Sequence, residues 1–192
     1  MKIKLIQILL IAMLMGGFAS TSRAADFDYT NDSEALATMN RLIDRLTDGS
    51  NLKIHFQAVI LPLEQVNAFS VSDGRIIVTQ GLLRTISSEE QLAAAIAHEM
   101  GHQITEVKST KTQAFAATGD DEFTADTLAI QVLKKARYNP TCLAEMLRVV
   151  LHSDGNSFPK AQVKQLSSRI RKIEDKVGSQ ISSVKTTADH GA

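Results

Sequence analysis

His98-Glu99-Met100-Gly101-His102 holds the residues whose types and spacing most directly imply chemistry. Two histidines four apart on a helix lie on one face, about one turn from each other, where both imidazoles can bite one metal ion. Glu99, between them, projects toward the neighbouring side of the same cleft, placed to act on a water held by that ion. Zinc at a catalytic site takes three protein ligands and leaves a fourth position open, so a third ligand must come from elsewhere. Glu122 is the best placed, with nineteen residues between it and His102. Asp126, one turn further on, suits an acceptor that orients a ligand histidine through its far ring nitrogen. Glu122 and Asp126 also fit the preference of acids for a helix N-terminus, and Asp120 and Asp121 read as caps.

The elements that must position these groups are legible around them. Ser87-Ser88-Glu89-Glu90 reads as a capping box between Ser87 and Glu90. It opens an alanine-rich, apolar helix that runs into His98 and should be buried at the centre of the fold. Histidines and a glutamate on such a helix need partners, which argues against a solvated face. Upstream, Leu36, Met39, Leu42, Ile43 and Leu46 follow the three-four spacing of an amphipathic helix over about 34–46, capped by Asn31 or Ser33. Strands are expected over Ile54–Leu61, Asn67–Val71 and Arg75–Thr79, with Ser72-Asp73-Gly74 as a tight hairpin turn. Gly81 to Arg84 begins a helical turn. Downstream, residues 107–120 read as a loop or frayed helix, and helices follow over about 121–137, 141–151 and 160–177. Residues 152–157 read as a loop and the polar stretch 178–192 as a flexible tail.

Lys2 and Lys4, an apolar run from Leu5 to Phe18 and small residues through Ala25 have the layout of a secretory signal peptide over residues 1–24. A membrane anchor is the alternative, but the run of about 14 residues is short of the ~20 that span a bilayer. Residues 25–177 then form one domain, large enough for a real core. Removing Lys2, Lys4 and Arg23 takes the basic count from 21 to 18 against 21 acidic residues. A mature chain so slightly acidic has no basic stripe for nucleic acid, and no second apolar segment offers a membrane span. Cys142, alone, cannot form an internal disulfide, so core packing or core plus metal must hold the fold. It reads as a small buried hydrophobe, with a reactive thiol or an intermolecular bridge as the alternative.

These residues resemble the gluzincin family of the CAAX prenyl protease, the heat-shock protease HtpX and the mitochondrial protease Oma, with soluble periplasmic members. Asn67-Ala68-Phe69 and Gly74 through Leu83 are similar to that family's edge strand and hairpin, Glu90 through His102 to its active-site helix, Glu122-Phe123-Thr124-Ala125-Asp126 to the segment supplying its third ligand, and Ala136 through Pro140 to the turn that follows. The likeness covers roughly residues 35–175. It implies a mainly helical α+β domain, with about three strands beside a buried active-site helix. It implies one zinc ion per chain on His98, His102 and Glu122, and Asn67, Ala68 and Phe69 as an edge that pairs with substrate.

The reaction implied is peptide-bond hydrolysis: zinc polarises the scissile carbonyl and acidifies a water, while Glu99 takes its proton and passes it to the leaving amine. Substrates are expected to be unfolded or misassembled proteins, in the periplasm or outside the cell. Two departures stand out. Glu106-Val107 replaces an Arg-His pair that family members often carry. Phe158 stands where many have a histidine, leaving Arg169, and less so His152, to stabilise the oxyanion. That gap motivates a competing expectation, a zinc-bound chaperone or adaptor with little turnover.

Overall fold

The structure, a computed structural model, describes residues 32–48, 54–110, 120–153 and 158–188. The signal-like segment 1–24, Asn31, the stretches 111–119 and 154–157 and the last four residues lie outside them. Helix α1 (Asp32–Thr47) buries Ala35, Met39, Leu42, Ile43 and Leu46. Leu36, expected on that face, is 37% exposed. Ala35 completes the seam instead, one turn before Met39, and the helix begins early enough to take in Ser33.

Three strands follow: β1 (Gln57–Leu61), β2 (Ala68–Ser70) and β3 (Arg75–Thr79). They form one sheet in the order β1-β3-β2, with β1 parallel and β2 antiparallel to β3. The expected strand from Ile54 starts only at Gln57, because β3 offers no ladder partner before Arg75. The β2–β3 hairpin closes as its sequence requires. Gly74 sits at φ 93°, a conformation that costs glycine nothing, and its N–H donates to the Val71 carbonyl at 3.0 Å. Helix α2 (Gln80–Thr85) follows β3 at once, capped by Thr79, whose Oγ1 accepts from the Leu82 N–H at 3.2 Å.

Helix α3 (Glu89–Thr110) is the axis of the fold. Its cap lies one residue later than the sequence suggests: Ser88 Oγ accepts from the Gln91 N–H at 3.2 Å, and the Gln91 side chain accepts from the Ser87 N–H at 2.8 Å. Gln91 thus takes the place expected of Glu90, leaving Glu89 free to accept from Arg41 through two contacts of 3.2 and 2.9 Å. From Leu92 to Ala97 every residue of α3 is buried, and Met100 with them. Each large apolar side chain so buried contributes about 1.5–3 kcal/mol.

Helix α4 (Asp120–Lys135) ends with Arg137 in the left-handed region at φ 62°, where the Tyr138 N–H donates to the Leu133 carbonyl at 2.9 Å. Helix α5 (Cys142–Ser153) takes in His152, which the sequence reads as loop. Helix α6 (Lys160–Ala188) runs past Val177, where the sequence reading ends it; one internal glycine, Gly178, costs a helix only about 1 kcal/mol. Its Ile170, Ile173 and Val177 enter the same core as α1, α3 and α5. Cys142 is 1% exposed in that core, and burial, with Glu90 and Glu145 adding to it, pushes its thiol up to about 12, so it is an unreactive apolar residue.

Candidate metal centre

Helices α3 and α4 touch backbone to backbone at one point, between His98 and His102. A Cβ added to Gly101 would lie 2.6 Å from the Ala125 carbonyl oxygen and 2.9 Å from the Ala125 Cα. This approach, available only to glycine, brings Glu122 against the two histidines. Their Nε2 atoms are 3.2 Å apart, with the rings edge to face at 83°. His98 Nε2 lies 3.5 Å from Glu122 Oε2, and His102 Nε2 lies 3.5 Å from Glu122 Oε1. The three residues offer ligand atoms that all lie within 4.8 Å of one another.

Around this trio the buried groups are tied. Asp126, one turn after Glu122, holds His98 Nδ1 at 3.0 Å, which turns Nε2 toward the other two ligands. Arg169 reaches in from α6. Its Nε and Nη2 donate to the two Asp126 oxygens at 2.8 and 2.7 Å, and its Nη1 lies 2.6 Å from Glu122 Oε2. The guanidinium expected to face an oxyanion is thus taken up by two carboxylates, and Arg169 is only 6% exposed. Glu99 is equally buried, and its Oε2 has no hydrogen-bond partner among the described residues. An orphaned buried carboxylate oxygen is costly. Beside a trio of two imidazoles and a carboxylate, it is what a site for zinc and an attacking water would leave open. The residues therefore fit zinc.

The charges follow from the packing. Burial and the Arg169 charge both push the His98 imidazole down, but its hydrogen bonds to Asp126 and Glu122 prevail and hold it at about 9. Burial, reinforced by the positive charge of His98, lowers His102. Burial would raise Glu122, yet its hydrogen bond to His98 and the Arg169 charge hold it well below the carboxylate range. Asp126 is lowered in the same way, against burial, by Arg169 and His98.

The sheet meets the site at β2. Ser70 Oγ donates to the Glu99 carbonyl at 3.3 Å, and the buried Gln103 side chain donates to the Val71 carbonyl, fastening the strand to α3. Ala68 and Phe69 pair with Val78 and Ile77 on one side only, so the outer edge of β2 is open among the described residues. Asn67 precedes the strand, its backbone bonded at 3.0 Å to Thr79 through both N–H and carbonyl. The sequence reading missed Ser70, Gln103 and the Gly101–Ala125 contact. Gln103 had a signal, a polar residue one turn beyond Glu99 on an apolar helix. His152 is exposed and its Nδ1 lies 2.6 Å from the Arg148 carbonyl of its own helix, a hydrogen bond internal to α5.

Residues 31–118 match Peptidase family M48. A stretch of 91 residues is 29% identical to the beta-barrel assembly-enhancing protease of Yersinia pestis, covering 47% of this chain and 19% of that protein. The chain thus spans about a fifth of the length of the curated relative it matches. The matched segment runs from α1 through His98, Glu99 and His102, and the Glu122 carboxylate comes to rest against both histidines, so over that segment the chain is similar to Peptidase family M48.

Proposed function

We propose that the chain is a zinc-dependent metalloendopeptidase that hydrolyses peptide bonds of unfolded or misassembled proteins in an exported compartment. The observation that carries this reading is the convergence of His98 Nε2, His102 Nε2 and the Glu122 carboxylate beside Glu99 Oε2, which has no hydrogen-bond partner among the described residues. His98, His102 and Glu122 would hold one zinc ion. When bound, the ion supplies a Lewis acid that polarises the scissile carbonyl and makes water more acidic.

The rest of the chemistry belongs to the chain. Glu99 Oε2 accepts the proton of the attacking water and delivers it to the leaving amine, a role open to a buried carboxylate with a free lone pair. Asp126 holds His98 in the tautomer that leaves Nε2 unprotonated when the ion is bound. The open edge of β2, at Ala68 and Phe69 with Asn67 leading into it, pairs with an extended substrate backbone. The exported setting rests on the signal-like layout of residues 1–24, and among the described residues no helix is long and apolar enough to cross a membrane. A quality-control role draws on the name of that relative, a beta-barrel assembly-enhancing protease.

Glu99→Gln is the test. It keeps the shape of the side chain and removes the base, so the zinc content should equal that of the wild type while turnover of an unfolded protein falls by about 10²–10⁴-fold. Equal cleavage by the two proteins, or a wild type that neither holds zinc nor cleaves, would sink the proposal.

A further inference from the structure

Helix α6 turns three cations toward α4 at intervals of one and two turns. Arg169 grips Asp126 and Glu122, the Lys172 Nζ sits 3.3 Å from the centre of the Phe123 ring, and Lys176 Nζ donates to Thr127 Oγ1 at 2.9 Å. Only the first of these touches the proposed ligand set. A guanidinium as buried as this is costly unless its geometry is well met. Here it is met by a fork on one carboxylate and a single contact on the other.

The carboxylates it holds are the two that matter to the histidines. Glu122 Oε2 lies between Arg169 Nη1 and His98 Nε2, and Asp126 Oδ1 lies between Arg169 Nη2 and His98 Nδ1. Without that cation, Glu99, Glu122 and Asp126 would be three acids crowded into one partly dry site. Like charges so placed repel, and the relief open to them is for Glu122 and Asp126 to swing outward, releasing His98. The docking of α6 does not itself depend on the arginine, because Ile170, Ile173 and Val177 bury a separate stripe of the helix in the core.

We propose that Arg169 is a positioning residue, which holds Glu122 and Asp126 in metal-binding geometry so that the site is already formed when the ion arrives. The inference rests on the metallopeptidase reading above, but its readout is metal affinity rather than turnover. Zinc affinity, measured against a competing chelator, and melting of the metal-free protein are to be compared for wild type, Arg169→Met, Arg169→Lys and Lys172→Ala. Arg169→Met should bind zinc about 10–100-fold more weakly. Arg169→Lys, which keeps the charge and loses the fork, should recover only part of that loss. Lys172→Ala loosens the same helix without touching a ligand and should bind zinc as the wild type does.

Equal zinc affinity in wild type and Arg169→Met, with melting lowered as in Lys172→Ala, would mean that Arg169 merely docks α6, and the proposal fails. Tighter binding by Arg169→Met also overturns it, since the guanidinium would then oppose the ion. If Arg169→Met does not fold, Arg169→Lys carries the comparison: it keeps the charge, loses the fork, and should still bind zinc more weakly than the wild type, whereas unchanged affinity defeats the idea. A wild type that binds no zinc fails the metallopeptidase reading and this inference together, while zinc-binding wild type with unaffected variants fails this inference alone.

Discussion

His98 carries a pH signature that falls in the neutral to alkaline range. With its metal-free value raised to about 9, it holds a proton at neutral pH. The sign follows from linkage: a raised value means that the proton stabilises the metal-free fold fully below the unfolded histidine value of ~6.5, and that this support is lost as pH climbs through about 9. A metal must displace the same proton. Zinc affinity should therefore rise by about tenfold per unit from pH 7 to 8.5, while the metal-free protein melts at progressively lower temperature over the same range. Chelator competition and thermal melts across that range check both, and an affinity already flat at pH 7 would contradict the protonated His98. At this scale the sequence was most informative. The spacing of His98 and His102, and of the acids at 122 and 126, names the side chains that share a face on each helix; that the two faces meet followed only from the family resemblance. The sequence could not tell what Arg169 touches, since its partners lie 43 and 47 positions away along the chain.

Between elements, the contact that sets the ligand geometry is the meeting of α3 and α4 at Gly101 and Ala125. In an exposed helix, replacing glycine by alanine stabilises by up to about 1 kcal/mol. Here the added methyl would press on backbone that has nowhere to go, so Gly101→Ala should destabilise by about 1–3 kcal/mol and weaken zinc as the helices part. Denaturant unfolding and a zinc titration test it, and a gain in stability would show that the helices can slide without cost. The helices themselves were readable from apolar spacing and turn residues. Their ends were not, in ways that have local causes. The cap shifted to Ser88 and Gln91 because the Gln91 side chain reaches back to the Ser87 N–H in the place expected of Glu90. Strand β1 shortened because pairing, which no local pattern encodes, begins at Arg75.

For the molecule as a whole, the core and the site are separable. The buried cluster joins α1, β1, β3 and helices α2 to α6 without using a ligand atom. Removing metal should therefore leave the helical content intact, unlike a zinc finger, which unfolds without its ion. Zinc at a thousand times its dissociation constant adds about 4 kcal/mol, worth on the order of ten degrees of melting temperature in a domain of this size. Circular dichroism melts with and without chelator measure it, and loss of helical signal on chelation at room temperature would contradict the separation. Among the described residues the outer edge of β2 is open at Ala68 and Phe69, about 7 Å of backbone. An edge that short is a poor template for sheet-to-sheet aggregation. Whatever substrate pairs with it, as proposed, must arrive with a similar length of its own backbone hydrogen bonds unspent, so such an edge would sort its visitors by conformation before it could sort them by sequence.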